Sequence, residues 1–318
     1  MTKRLLVVGS INLDLVATAP RLPQAGETIS GMSFNTFPGG KGANQAYAAA
    51  RLKTPVSMLG KVGNDSFGVD LRANLESVGV NTHAIEIAPT SSGIAQITTA
   101  ENGDNIIVVV AGANGRVLPA DLDRHLDTIR NASIILTQLE IPLETVAHLA
   151  DLAKQEGIPL VLDPAPAQQL PASLLNCVEW LTPNESETCA LLGLSLDELS
   201  GNRLKEISQM LLGLGSRNVI LKLGQRGCYL ALADGTRMLM PGYKVRPVDS
   251  TAAGDAFNGA FASSLIQGND AVASARWACA VAAVSVTRQG AQPSMPTRAE
   301  VREFLETRLE TANREHSI

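Results

Sequence analysis

Along most of the chain, short β-rich runs alternate with longer stretches of helical periodicity, and that alternation admits few folds. Runs at residues 5–8, 56–59, 133–137, 160–162 and 219–223 are separated by helical patterns at 41–52, 67–78, 143–155, 185–192 and 204–214. Strand, helix, strand repeated in this way predicts βαβ units and a mainly parallel sheet covered by helices on both faces. Ligands of such sheets bind beyond the carboxyl ends of the strands. Two segments break the pattern: residues 26–37 and 93–110 are rich in Thr, Ile and Val and carry turn residues, Asn102-Gly103 giving a hairpin signal. They predict a small β-sheet lid outside the main sheet, built from about residues 13–38 and 93–112.

Composition narrows the class. With 45% hydrophobic and 18% charged residues in 318, the chain can bury a large core, and a single α/β domain over residues 1–318 is expected. The net charge of −5 and the scatter of its 26 basic residues argue against a nucleic-acid footprint. Cys177, Cys189, Cys228 and Cys279 show no CxxC spacing and no nearby histidine pair, which weakens zinc and disulfide readings and fits a reducing cytoplasm. The apolar run at 5–8 is too short for a signal-peptide core or a membrane span.

Several segments can carry chemistry. In residues 248–259 (VDSTAAGDAFNG), the small residues Ala252, Ala253 and Gly254 open a helix whose apolar positions Phe257, Phe261 and Leu265 recur every fourth residue. The free amides of such an opening can dock an anion. Asp255 at the same start can take a proton from an attacking hydroxyl, although an ordinary helix start would look similar. The run 39–45 (GGKGANQ) also joins a loop to a helix; it lacks the spacing of a Walker A loop. Asn12 and Asp14, two apart, share one side of an extended segment and can hold neighbouring sugar hydroxyls, with Glu140 also just past a strand. Asn184 and Glu187 have the spacing of a capping box, or can order water and Mg²⁺ near phosphates. Lys222, Gly224, Arg226 and Gly227 close a strand with a glycine turn that either lines a nucleotide cleft or simply leads into a hairpin.

Together and in this order, these segments resemble the ribokinase-like carbohydrate kinase family over nearly the whole chain. Residues 39–45 look like its first signature and 249–259 like its second. The likeness is strongest to the ribose-phosphorylating members, through 9–14 (GSINLD), 138–140 (QLE), 163–166 (DPAP) and 287–294 (TRQGAQPS). The resemblance implies a three-layer sandwich with a β-lid and ATP-dependent transfer to the primary hydroxyl of ribose. It implies Asp255 as base and an anion hole at 252–255. The sugar would lie against Asn12, Asp14, Gly40, Lys41, Asn44, Glu140 and Asp255, with Ala95 and Ile107 of the lid packed on it. The nucleotide would be bordered by Asn184, Lys222, Gly224, Arg226, Gly227, Gly254 and Cys279. Mg²⁺ would be held through water by Glu187, and K⁺ near Asp249, Thr251, Ser285, Arg288, Gly290 and Ser294. A homodimer through the lids is implied as well. Ala252 stands where many relatives place Gly, and Asp163, Cys279 and a polar lid strand at 96–100 also depart from the pattern. Rival readings are a kinase for deoxyribose, a ketohexose or a nucleoside, and a catalytically silent sugar-binding regulator. The 3% aromatic content speaks against a nucleoside platform.

Overall fold

The computed structural model describes residues 3–199 and 203–315, and the side chains of residues 3–199 and 203–308. Its main sheet has nine strands. In chain order these are β1 (Leu5–Val8), β4 (Val56–Gly63), β5 (Asn81–Ala88), β8 (Ile134–Thr137), β9 (Leu160–Leu162), β10 (Trp180–Leu181), β11 (Asn218–Lys222), β12 (Cys228–Ala231) and β13 (Arg237–Met240). A separate four-stranded sheet is made of β2 (Asn12–Ala19), β3 (Ser33–Gly39), β6 (Gly93–Ala100) and β7 (Asn105–Val110). The order across the main sheet is β13-β12-β11-β10-β9-β8-β1-β4-β5. From β11 through β5 all neighbours are parallel, and β12 and β13 add an antiparallel edge.

The parallel strands are apolar throughout because both faces are covered. Alternate residues feed two cores. Leu5, Val7, Ile134, Leu136, Val161 and Ile220 enter one, against the helices Lys41–Arg51, Ala253–Ile266 and Ala271–Ser285. Leu6, Val8, Ile135, Leu160, Leu162 and Leu221 enter the other, against Leu143–Gln155 and Leu204–Gly213. This is the expected sandwich. Three strands escaped the sequence reading: the two-residue β10, the edge strand β13, and β5, whose mixed pattern Asn-Thr-His-Ala-Ile-Glu-Ile-Ala hides a half-exposed edge position.

One contact sets the geometry of everything that follows. The helices Lys41–Arg51 and Ala253–Ile266 cross so closely that a Cβ on Gly259 would lie 2.6 Å from the carbonyl oxygen of Gln45. Ala46, Ala48, Ala49 and Ala50, all buried, keep the facing surface low. Asp255, one turn before Gly259, is thereby brought against Asn44 and Gln45.

In the lid, β2 pairs antiparallel with β3 and parallel with β6, and β6 pairs antiparallel with β7. The predicted hairpin turn falls at residues 101–104, with Gly103 at φ 91°. Among the described residues no helix is long and apolar enough to cross a membrane.

Candidate active site

The site lies at the carboxyl ends of β1, β8, β9 and β11: Ser10, Glu140 and Asp163 follow the first three strands and Lys222 ends the fourth. At its centre Asp255 is 5% exposed. Its Oδ2 accepts a hydrogen bond from Asn44 Nδ2 at 3.0 Å, and its Oδ1 accepts one from Gln45 Nε2 at 3.0 Å. Burial pushes its carboxyl up to about 6 against the pull of the Lys41 ammonium, with the Asp163 charge adding to the rise. A carboxyl poised there is ionised at neutral pH yet basic enough to take a proton.

Asp255 stands in the first turn of Ala253–Ile266, a helix whose N-cap, Ala252, has φ 59° and carries no side-chain cap. The amide of Ala253 is spent on the carbonyl of Ser250 at 3.2 Å. Those of Gly254 and Asp255 have no acceptor among the described residues, so the free donors of the expected anion hole reduce to that pair and Ala252. Lys222 Nζ reaches the same opening: a Cβ on Gly254 would meet it at 3.5 Å.

Around the base the predicted sugar residues gather. Glu140 Oε2 accepts from the Ser10 hydroxyl at 2.5 Å and from the Lys41 amide at 3.0 Å. Gly40, at φ 86°, makes the turn into the helix, where a Cβ would sit 2.7 Å from the Asn12 amide nitrogen. Asn12 Oδ1 accepts from Asn114 Nδ2 at 2.6 Å. Asp14 faces the same space; burial, with the charges of Glu140 and Asp255, pushes its carboxyl up to about 6. Burial draws Lys41 down, but the charges of Asp255, Asp163, Glu140 and Glu187 outweigh it and hold the ammonium above its ordinary value. Asn12 and Asp14 do share one side of β2, as alternation requires, and Ala95 is paired with Asp14 in register.

Among the residues expected to border a nucleotide, Asn184 and Glu187 form a capping box on the helix Glu185–Leu192, with Asn184 Oδ1 accepting from the Glu187 amide at 2.8 Å. Burial raises the Glu187 carboxyl, which lies 4.0 Å from Lys222 Nζ. Gly224 and Gly227 both have positive φ, and Arg226 pairs with Glu185 at 2.6 Å on the exposed rim.

Two predicted residues stand apart. Ile107, 52% exposed on β7, pairs with Ile97, one step further out on the lid face that holds Asp14 and Ala95, and does not reach them within this chain. Cys279, 6% exposed, is turned into the core, its sulfur 3.7 Å from that of Cys228, a contact that sequence spacing gave no means of seeing.

The predicted cation residues form a cluster of their own. Asp249 accepts from the Thr251 amide at 2.9 Å and the Gly290 amide at 2.8 Å, tying two turns together. Burial opposes its charge, but the hydrogen bonds from Thr251 and Gly290 outweigh it and hold the carboxyl below its ordinary value. The hydroxyls of Ser285 and Ser294 bond back to the carbonyls of Ala282 and Ala291, and Arg288 pairs with Glu300. Asp249, these hydroxyl oxygens and the backbone carbonyls of the turns are the oxygens the cluster offers an ion.

Sequence reading missed four polar residues behind the site. Gln45 was seen only as part of a glycine run and Asp163 only as a departure from a pattern. Gln138 was seen only as part of the run 138–140, and Asn114 carried no local signal; their partners lie 93 and 103 positions away.

A buried carboxylate thus stands at an uncapped helix start beside a cluster of polar side chains, on a fold shared with carbohydrate kinases. The model of the pfkB family carbohydrate kinases matches residues 2–298, and the chain belongs to that family. Among its relatives, the ribokinase of Bacillus subtilis (strain 168) is 43% identical over 304 residues, 95% of this chain and 99% of the relative. A deoxyribokinase of Salmonella typhi is 38% identical over 301 residues, 94% of this chain and 97% of the relative. The structure of Arabidopsis thaliana ribokinase complexed with ribose and ATP superposes with a TM-score of 0.90 at 34% identity, over 96% of this chain and 99% of that one.

Proposed function

We propose that this sugar kinase transfers the γ-phosphoryl group of ATP to the primary hydroxyl of ribose, with Asp255 as the base. The observation that carries the reading is the convergence of the Asp255 carboxylate, the free amides of Gly254 and Asp255, and Lys222 at one helix opening. Asp255 takes the proton of the attacking hydroxyl as the phosphoryl group arrives. The two amides and the ammonium face the charge that develops on the phosphoryl oxygens. Asn12, Asp14, Lys41, Asn44 and Glu140 hold the sugar in reach, with Ala95 and Ile107 closing over it when the lid moves and water is excluded. Asn184, Lys222, Gly224, Arg226 and Gly227 border the nucleotide.

Mg²⁺ travels with ATP and neutralises phosphate charge; Glu187, ordering water rather than binding the ion directly, suits its preference for retained waters. One ionised carboxylate, Asp249, amid backbone carbonyls of the turns at 249–251 and 285–294, suits a weakly hydrated monovalent ion such as K⁺. A cytoplasmic site of action belongs to the same reading.

The lids also support a homodimer. On the edge strand β7, Ile106, Ile107, Val108, Val109 and Val110 are all exposed, an apolar edge of the kind that proteins otherwise blunt or cover. Light scattering at working concentration is expected to give a dimeric mass that Val108→Lys reduces to a monomer; a monomeric wild type removes this part of the proposal.

The deoxyribokinase relative keeps a second substrate in view. A coupled ADP-release screen over ribose, deoxyribose, ketohexoses and nucleosides, with Mg²⁺ and K⁺ present, decides between them. Highest kcat/KM for ribose is expected. A preference for another sugar replaces the substrate, and tight ribose binding with no ADP formed replaces catalysis by sensing.

A further inference from the structure

Behind Asp255 lies a chain of buried polar groups that runs through Gln45 and Asp163 to Lys222. Gln45 is fully buried, and its amide is fixed on every side. One Nε2 nitrogen donates both to Asp255 Oδ1 at 3.0 Å and to Asp163 Oδ2 at 2.9 Å, while Oε1 accepts from Gln138 Nε2 at 2.6 Å. Asp163 Oδ1 in turn accepts from Lys222 Nζ at 2.8 Å, and both members of that pair are buried. With two hydrogens on Nε2 and one carboxylate for each, the amide has no spare donor and no freedom to flip.

We propose that Gln45 is a positioning residue for the base: it aims the Asp255 carboxylate by holding it apart from Asp163, whose charge the Lys222 ammonium balances. This rests on the reading of Asp255 as the base. The arrangement links the nucleotide opening, where Lys222 stands, to the proton-accepting oxygen through hydrogen bonds of 2.8, 2.9 and 3.0 Å. Asn44 shares the second oxygen of Asp255 but also belongs to the sugar cluster. Gln45 bonds to no other residue of that cluster, its remaining partners being Asp163 and Gln138. Without its amide, two carboxylates would face one another with no shared donor, and the base would rotate or hold its proton more tightly.

The groups facing Asp255 are Lys41 from the helix that carries Gln45, Asp163 after β9, Glu140 after β8 and Asp14 on β2. None of these is altered by Gln45→Met, which keeps the side chain's length and removes only its polar atoms.

The test compares wild type, Gln45→Met, Asp255→Asn and the double variant by steady-state kinetics across pH. Gln45→Met is expected to lower kcat by roughly 10- to 100-fold, the scale of a misaimed catalytic group, with the KM for sugar within about threefold of wild type. The acid limb of its kcat profile should move to higher pH. In the Asp255→Asn background the same substitution should change kcat by less than about twofold, since its route of action is gone. Unchanged kcat and pH profile in a folded Gln45→Met overturn the inference, as does an undiminished effect in the Asp255→Asn background. Near-normal turnover of Asp255→Asn overturns the base itself, a separate failure. Should Gln45→Met not fold, Gln138→Leu frees the amide from its other side and is expected to shift the acid limb the same way with about a threefold to tenfold loss of kcat; an unmoved limb there also overturns the inference.

Discussion

Compare two groups of helix starts. Ser66–Ser77, Glu185–Leu192 and Ala271–Ser285 begin at Asp65, Asn184 and Asp270, whose side chains accept from first-turn amides at 2.8, 2.8 and 2.7 Å. Lys41–Arg51 and Ala253–Ile266 begin at Gly40 and Ala252, both in the left-handed region and both without a side-chain cap. Lack of a cap does not by itself mark function: Leu143–Gln155 also starts uncapped, at Pro142 with φ −53°. What separates the two site helices is the positive φ, which turns the chain sharply at the helix start. At Lys41–Arg51 the first-turn amides are taken up by Glu140 Oε2, the Ser10 hydroxyl and the Ser10 carbonyl, whereas at Ala253–Ile266 those of Gly254 and Asp255 have no acceptor among the described residues. A capping oxygen sits where a ligand anion would otherwise dock. The helix Ala253–Ile266 gives up that stabilisation, about 1 kcal/mol per cap, and keeps the space.

The largest break in this comparison comes from Asp255. Asp255→Asn keeps the helix start but removes the proton acceptor, and kcat is expected to fall by roughly two to four orders of magnitude with the circular dichroism spectrum unchanged. Because the base works only when ionised and its carboxyl is pushed up to about 6, wild-type activity should fall as pH drops through that value and level off above it. A profile flat down to pH 4.5 would assign the proton to another group.

Next in size is the crossing that holds the two site helices together. Gly259→Ala places a Cβ 2.6 Å from the Gln45 carbonyl oxygen and 3.0 Å from the Ala48 methyl, a backbone atom and a one-carbon side chain with no soft end to give way. Overpacking of this kind costs about 1–3 kcal/mol. The urea midpoint should fall accordingly, and kcat with it, because Asp255 and Gln45 are carried by the separating helices. A stability loss with unimpaired kcat would show that the site tolerates a wider crossing.

How much of this was legible beforehand follows from the range of the signals. The sandwich was readable because βαβ alternation is local, and Asn12 and Asp14, or Lys41 and Asn44, stood out as polar groups because they sit within a few positions of one another. Asn184 and Glu187 were readable as a capping box for the same reason. The support behind the base was not: Gln45 to Asp163 spans 118 positions and Lys222 to Asp163 spans 59, so only the folded chain brings them together. Cys279 was misplaced because a helix that is apolar nearly all round, as Ala271–Ser285 is, gives no sign of which face meets the cleft. Ile107 is a different case: its strand was foreseen, but no pattern within β7 singles out one residue, since all five aliphatic residues are exposed.

The capped group offers a smaller effect and a control. Asp270→Ala removes one acceptor from the Ala273 amide at an exposed helix start remote from the base. It should cost about 1 kcal/mol of stability and leave kcat and KM alone. If kcat fell in step with stability, the division of labour between capped and uncapped starts would fail.

The smallest effect concerns Ala252, which with Lys53 is one of the non-glycine residues at positive φ among those described. An alanine in the left-handed region carries roughly 1–2 kcal/mol of steric cost, and Gly at the same place removes it while adding about 0.5–1 kcal/mol of chain entropy to the unfolded state. Ala252 is also half-buried against the core, so its methyl contributes some packing that glycine forfeits. The terms nearly cancel, and Ala252→Gly is expected to shift the urea midpoint by the equivalent of only a few tenths of a kcal/mol, upward, at unchanged m-value. Because the amides of Gly254 and Asp255 stay where they are, kcat should remain within about twofold of wild type. A fall in kcat without a fall in stability would instead mean that the alanine methyl braces the turn, and that the strain at this position is held there by what it does for the anion-facing amides.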